Sequence, residues 1–153
     1  EKGRADADRE MITLVERIAA AARKRNPDFL IIPQNGEELL HSARYRAGIS
    51  AIGKEDIFFR PDLASGRDAV LANTPEMIAA ILADLAPGQA DGIPVLAIEY
   101  LRDDAAGEAI IPAVTERMLK AGLVPYFGPR RLDRVAPPVS APQAVPPVAN
   151  PMT

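Results

Sequence analysis

Four short apolar runs alternate with helical patterns along this chain, and this alternation restricts its fold more than any other feature of the sequence. The runs lie at 29–33, 49–53, 93–100 and 123–128, and each is typical of a buried strand. Apolar strands that are separated by helices belong to a parallel sheet with both faces covered. The sequence therefore predicts an α/β fold whose strands, including the first, are buried on both faces.

The segments between these runs carry the patterns of helices. Residues 5–25 place apolar side chains at helical spacing with charges between them, which predicts an amphipathic helix. A second helical pattern covers 36–48. Thr74 as N-cap and Pro75 at the first helical position predict a third helix, and Pro87 is expected to end it.

The remaining connections are less regular. Pro112 implies that the fourth helix either starts near Ile111 or carries a kink. The stretch 60–72 contains Pro, Gly and Asp and is expected to be a loop. Beyond a folded domain at 1–135, residues 136–153 are rich in Pro, Ala and Val without any charge, which predicts an extended tail or linker.

Composition and charge exclude several classes of function. The 18 Lys and Arg alternate with the 21 Asp and Glu, so the basic patch that nucleic acid requires is missing. No run reaches the roughly 18 to 20 apolar residues of a membrane span. With no cysteine and one histidine, His41, the segment has neither a thiol nucleophile nor a multi-histidine metal site. We therefore expect no metal and no organic cofactor, and any chemistry must depend on carboxylates.

Polar side chains follow each predicted strand, at the end where parallel α/β folds carry their sites. Carboxamides, carboxylates and tyrosines together suit a neutral, hydroxyl-rich ligand such as a sugar. The alternative is that strand ends are simply where solvent begins. Side chains alternate along a strand, so only one of Glu99 and Tyr100 is expected to reach the ligand. The candidate residues are Gln34, Asn35, Glu55, Asp56, Glu99, Tyr100 and Tyr126.

Single residues in this set also have structural interpretations. Asn35 stands just before a helical pattern and could be its N-cap. Glu55, the candidate general acid, could instead form a salt bridge with Lys54 or Arg60. For Asp56 the pattern favours a structural role, in which its side chain caps the following turn.

Four segments together resemble a known family: "NPDFLIIPQNGEELL", "IGKEDIFF", "PVLAIEYL" and "GLVPYFGPRRLDRV". They are similar to the predicted extracellular glycoside hydrolases related to endo-α-1,4-polygalactosaminidases, over most of residues 8–135. The resemblance implies a TIM (β/α)8 barrel of which this chain holds the C-terminal half, strands five to eight. It also implies secretion to the periplasm or the exterior, and a polysaccharide substrate with α-linked amino sugars, such as polygalactosamine.

The resemblance assigns roles to individual residues. Glu55 matches one of the two acidic residues of the family, and the other, an aspartate, would lie upstream of Glu1 in the N-terminal half of the barrel. Glycoside hydrolysis needs two carboxyl groups about 5 to 9 Å apart. The resemblance therefore implies acid/base work for Glu55, sugar contacts for Gln34, Asn35 and Tyr100, and no activity of this half alone.

Two other interpretations remain at this point. A non-catalytic barrel could keep the polar strand ends and bind carbohydrate without cleaving it. Alternatively, the chain could be a small complete α/β domain that binds a phosphate-bearing ligand through "GPRR" at 128–131. The missing glycine-rich phosphate loop and the missing initial methionine argue against the second of these.

Overall fold

The structure is a computed structural model that describes residues 6–62, 64–65, 69–102, 104–129, 133 and 135. Its elements in chain order are α1 (Ala7–Arg25), a 3-10 helix (Glu37–His41), α2 (Ala43–Gly48), β1 (Ile52–Glu55), β2 (Phe59–Pro61), β3 (Val70–Ala72), α3 (Pro75–Ala90), β4 (Val95–Leu101), α4 (Ala105–Lys120) and β5 (Leu123–Pro129). The predicted tail at 136–153 and the two arginines of "GPRR" lie outside the described residues.

The main sheet has three parallel strands in the order β1, β4, β5. Ile52 of β1 pairs with Val95 of β4, and Val95 pairs with Leu123 of β5, so the strands begin level with one another. Parallel neighbours require crossover connections, which α3 and α4 supply between successive strands. The predicted α/β fold with parallel strands is confirmed, and the carboxyl ends of all three strands meet at one edge.

The first apolar run continues this sheet beside β1, although it does not form a regular strand. The amide of Ser50 donates to the carbonyl of Ile31 (2.7 Å), and the amide of Gly53 donates to that of Pro33 (2.8 Å). Gln34 forms an isolated parallel bridge with Gly53. The segment therefore runs parallel to β1 and ends at the same edge as the other strands.

Burial of this first run on both faces was expected, and that expectation is wrong for the described chain. Ile31 is buried, whereas Phe29, Leu30 and Ile32 are 48%, 59% and 47% exposed. The physical reason is that the segment lies at the margin of the sheet, where no described element covers these three side chains.

The hydrophobic core lies between one face of the sheet and the helices. Along β4, the side chains of Val95, Ala97, Glu99 and Leu101 are buried, whereas those between them are only half-buried. The helices contribute Leu85, Val114 and Met118 to the same core. In the described part of the chain, only one face of the sheet is therefore fully covered.

Helix α3 begins as the sequence predicts but ends later. The hydroxyl oxygen of Thr74 accepts a hydrogen bond from the amide of Met77 (3.3 Å), which confirms the N-cap. Pro87 does not end the helix, because it stands in the last turn and the helix continues to Ala90. The proline removes one N–H from the helix, but its carbonyl still accepts from the amide of Asp91 (3.3 Å), so the last turn can form after it.

Helix α4 begins at Ala105, which excludes a start near Ile111. The carboxylate of Asp104 caps it by accepting from the amide of Gly107 (2.9 Å). Pro112 lies inside the helix. A cap that satisfies the first amides explains why the helix can begin well before its proline.

The predicted loop at 60–72 contains a short antiparallel hairpin, in which Arg60 of β2 pairs with Leu71 of β3. Residues 63 and 66–68 lie outside the described part of this segment. Three-residue strands that contain a proline give little sequence signal, so the hairpin was not predicted. Among the described helices, none is long and apolar enough to span a membrane.

Candidate active site at the strand ends

Asn35 links the end of the first apolar run to the end of β1. Its backbone is left-handed (φ 56°), as is that of Gly36 (φ 72°), and its amide donates to the carbonyl of Gly53 (2.7 Å). Asparagine and glycine tolerate this conformation better than other residues. The turn brings the side chain of Asn35 to β1, where its oxygen accepts from the amide of Glu55 (3.2 Å).

The carboxylate of Glu55 is half-buried, and both of its oxygens accept hydrogen bonds from neutral groups. Asn35 Nδ2 donates to Oε2 (3.3 Å), and the Tyr100 hydroxyl donates to Oε1 (2.7 Å). Burial, reinforced by the bond to Glu55, raises the pKa of Tyr100, so this phenol remains a donor at ordinary pH. Three of the predicted residues, from three different strand ends, are thus in direct contact.

The cations that could have paired with Glu55 have other partners. Lys54 forms an ion pair with Glu37 (3.1 Å), and these two side chains are only 12% and 14% exposed. Lys54 also donates to Asn35 Oδ1 (3.3 Å), so the Lys54–Glu37 ion pair helps to hold the side-chain amide of Asn35 in place. Arg60 donates to Asn73 Oδ1 (3.3 Å). The salt-bridge interpretation of Glu55 therefore finds no support in these contacts.

Asp56 lies in the turn directly after β1. Its backbone is left-handed (φ 57°), and its amide donates to the carbonyl of Ile98 (3.1 Å). The side-chain amide of Asn73 donates to the carbonyls of Asp56 (2.9 Å) and Ile57 (3.0 Å). Asp56 is half-buried beside Glu55, and its backbone forms part of this turn.

Glu99 points to the opposite face of the sheet from Tyr100. Its side chain is fully buried, and its two oxygens accept from the amides of Phe58 (2.7 Å) and Phe59 (3.1 Å). Burial raises the pKa of Glu99 to about 7, although the backbone amides favour the ionised form. Of the two neighbours, Tyr100 is the one that contacts Glu55, and Glu99 does not reach this surface.

Gln34 and Tyr126 flank the Glu55 cluster. Gln34 is exposed. Its side-chain oxygen lies where the Cβ atom of any residue other than glycine at position 53 would be. Tyr126 is half-buried, and a side chain at Gly128 would lie 3.2 Å from its ring and 3.4 Å from that of Tyr100. The glycines at 53 and 128 therefore make room for polar and aromatic side chains on this face.

Sequence reasoning missed two supporting groups, the Lys54–Glu37 pair and Asn73. Glycines inside predicted strands are a signal for close approach, and Gly53 and Gly128 could have indicated the crowded face. Asn73 gave no such signal, because its two backbone partners lie in a turn about 16 residues earlier. In the part of the chain that the structure describes, no group of three or more His, Cys, Asp or Glu could hold a metal.

No family model matches the chain. An uncharacterized protein of Deinococcus radiodurans is 39% identical over 132 residues, which cover 86% of this chain and 39% of that protein. An uncharacterized protein of Thermotoga maritima is 41% identical over 58 residues, 37% of this chain and 18% of that protein. The chain thus spans well under half of the length of these relatives.

Two solved structures resemble this one. The glycoside hydrolase domain of PelA from Pseudomonas aeruginosa matches with a TM-score of 0.63 and 24% identity, over 86% of this chain and 50% of that chain. A variant of the same domain, with one glutamate replaced by alanine, matches with a TM-score of 0.63 and 23% identity over the same shares. The chain therefore has a mixed α/β fold that corresponds to half of a glycoside hydrolase domain and is compatible with part of a TIM barrel.

Proposed function

We propose that this chain is the C-terminal half of a (β/α)8 glycoside hydrolase that cleaves an α-linked amino-sugar polysaccharide such as polygalactosamine, with Glu55 as one of its two catalytic carboxyl groups. The observation that carries the proposal is the cluster at the strand ends. There the carboxylate of Glu55 is half-buried and held by Asn35 and Tyr100 through neutral hydrogen bonds. The fold shared with a glycoside hydrolase domain supports it.

Glu55 is suited to acid/base work because its neighbours orient it without neutralising it. Two neutral donors fix the directions of both oxygens, whereas an ion pair would hold the group permanently charged. The reaction needs a carboxyl group that donates a proton to the leaving oxygen or accepts one from water. No metal or organic cofactor is needed for this chemistry.

The second carboxyl group belongs, in this proposal, to the other half of the barrel. The chain spans 50% of the PelA domain, and the half-exposed Leu30 and Ile32 lie at the margin of the sheet where further strands would pair and pack. Oxygens about 5 to 9 Å from Glu55, on the far side of a bound sugar, would complete the two-carboxylate site.

Substrate contacts are proposed for the remaining groups on this edge. Gln34, Asn35, Asp56 and Tyr126 would contact hydroxyl or N-acetyl groups of the sugar, and the rings of Tyr100 and Tyr126 would give it an apolar surface. A polysaccharide is too large to enter a cell unaided, so the proposed enzyme works outside the cell or in the periplasm.

The test is hydrolysis of galactosamine polymers by the full-length protein and its Glu55→Gln variant. We expect at least a hundredfold loss of kcat, because removal of a catalytic acid/base costs about 10²- to 10⁴-fold. Glu116→Gln, the same change at a surface ion pair with Lys120, is the matched control and should leave kcat unchanged.

Undiminished activity of Glu55→Gln would remove Glu55 from the mechanism. A parent protein that binds these polymers but does not release reducing ends would instead be a carbohydrate-binding barrel.

A further inference from the structure

A buried carboxylate lies directly behind the Glu55 cluster without being part of it. Glu99 stands next to Tyr100 on β4, and the alternation of the strand turns its side chain into the core, where it is 0% exposed. A carboxylate in such a place is costly unless hydrogen bonds compensate for the lost water. The hydrogen-bond partners of Glu99 therefore indicate its role.

Its partners are the two backbone amides that end the turn after Glu55. Oε1 accepts from Phe58 (2.7 Å) and Oε2 from Phe59 (3.1 Å), so each oxygen holds one amide. β1 ends at Glu55 and β2 begins at Phe59, and the turn between them includes the left-handed Asp56. The carboxylate thus ties β4 to the segment that begins at the candidate catalytic residue.

Asn73 holds the same turn from the other side. Its side-chain amide donates to the carbonyls of Asp56 and Ile57, and its backbone amide donates to the carbonyl of Phe58 (2.8 Å). Glu99 accepts from the turn and Asn73 donates to it, so successive peptide groups are fixed from two elements. The backbone groups of this buried turn are thus held by Glu99 and Asn73, which lie in other segments of the chain.

Above its pKa of about 7, the ionised Glu99 supplies two acceptor oxygens and no donor in this position. A glutamine would place its NH2 group against one of the two amides, and a leucine would leave both without a partner. An apolar residue of similar volume would fill this space equally well, so packing alone does not explain a glutamate at position 99.

We propose that Glu99 is a positioning residue of the hydrolase, which fixes the turn at 56–58 and thereby the direction in which the Glu55 carboxyl leaves β1. The inference rests on the proposed function of Glu55. A displacement of about 1 Å at a reacting group can cost as much as a hundredfold in rate, so a fixed turn can offset the cost of burying this carboxyl group.

The test compares kcat and KM of the full-length protein with those of Glu99→Gln, on the galactosamine polymer that the parent cleaves. We expect kcat to fall at least tenfold while KM changes less than threefold, since the sugar contacts remain. In hydrogen exchange, the amides of Phe58 and Phe59 should lose protection. Val95→Ala, at a buried position of the same strand and face, is the control for lost packing and should lower Tm with kcat nearly unchanged.

Glu99→Asp keeps the charge and both oxygens at a shorter reach, and we expect an intermediate kcat. The inference would be overturned if folded Glu99→Gln kept the parental kcat. If Glu99→Gln does not fold, a parental kcat in Glu99→Asp would overturn it. A Val95→Ala variant that loses kcat as strongly would also overturn it. Full activity of Glu55→Gln would contradict the proposed function itself. Loss of activity in Glu55→Gln, with parental activity in Glu99→Gln, would contradict only the positioning role of Glu99.

Discussion

At the scale of single residues, the two glutamates next to the strand ends have different environments. Glu55 is half-buried and bound by side-chain donors of Asn35 and Tyr100, whereas Glu99 is fully buried and bound by backbone amides. The side-chain donors leave Glu55 at the surface of the strand ends, whereas the backbone amides hold Glu99 inside the core. The first environment suits a reacting group and the second suits a support.

Tyr100→Phe tests the first environment. The change removes the hydroxyl that donates to Glu55 Oε1, so we expect kcat of the full-length protein to fall about tenfold, with a loss of stability of about 1 kcal/mol. Kinetics and thermal unfolding measure both effects. Tyr45→Phe, in the core, is the control, and equal kcat in the two variants would contradict the role of the Tyr100 hydroxyl.

The pH dependence of stability tests the second environment. The folded-state pKa of Glu99 is about 7 against 4.5 for the unfolded chain, so between these values the folded state binds more protons than the unfolded state. The free energy of unfolding should therefore fall as pH rises from about 4.5 to about 7, by up to about 3 kcal/mol. Denaturant titrations at several pH values measure this slope, and Glu99→Gln should flatten it. A stability that rises over this window equally in both proteins would contradict the assignment.

At the scale of elements, the caps and strand ends determine where the functional groups lie. The Asn35–Gly36 turn brings the carboxamide of Asn35 to β1, and the capped helix α3 leads the chain from the hairpin back to β4 in the main sheet. Such turns and helix caps can be predicted from the sequence because they depend on residues that are close together along the chain.

Thr74→Ala tests the cap of α3. Loss of the bond from the Met77 amide should lower the free energy of unfolding by about 1 kcal/mol, measured by denaturant unfolding. Thr13→Ala, in the exposed interior of α1, is the matched control and should be neutral or slightly stabilising, since alanine favours helix interiors. Equal losses in both variants would show that the cap contributes nothing specific.

Such local signals explain how much the sequence could predict. The strand ends identified Asn35, Glu55 and Tyr100, which the structure brings together, because parallel strands align their carboxyl ends. The face of Glu99 could not be predicted, since the run at 93–100 is apolar on both faces and gives no register. The exposure of Leu30 could not be predicted either, because an apolar run does not show whether another element packs against it.

At the scale of the whole molecule, the described chain leaves apolar surface of its sheet uncovered. It spans half of the PelA domain, its sheet is fully covered on one face only, and three apolar side chains of its first run are about half exposed. A large exposed apolar surface at a sheet margin indicates an interaction surface. In the proposed barrel, the N-terminal half covers it.

Leu30→Ser tests this arrangement in the full-length protein. If the other half of the barrel covers Leu30, the change should lower the free energy of unfolding by about 2 kcal/mol or more. Leu71→Ser, at a position 41% exposed on the hairpin, is the matched control and should cost less than about 1 kcal/mol. Equal, small effects at both positions would contradict the half-barrel arrangement.

The most direct measurement is an experimental structure of the full-length Glu55→Gln variant with a galactosamine oligosaccharide bound across the strand ends. The account predicts residue 55 at about 3 Å from a glycosidic oxygen, and a second carboxyl group about 5 to 9 Å from it across the scissile bond. An oligosaccharide bound elsewhere, or a residue 55 turned away from the sugar, would contradict it.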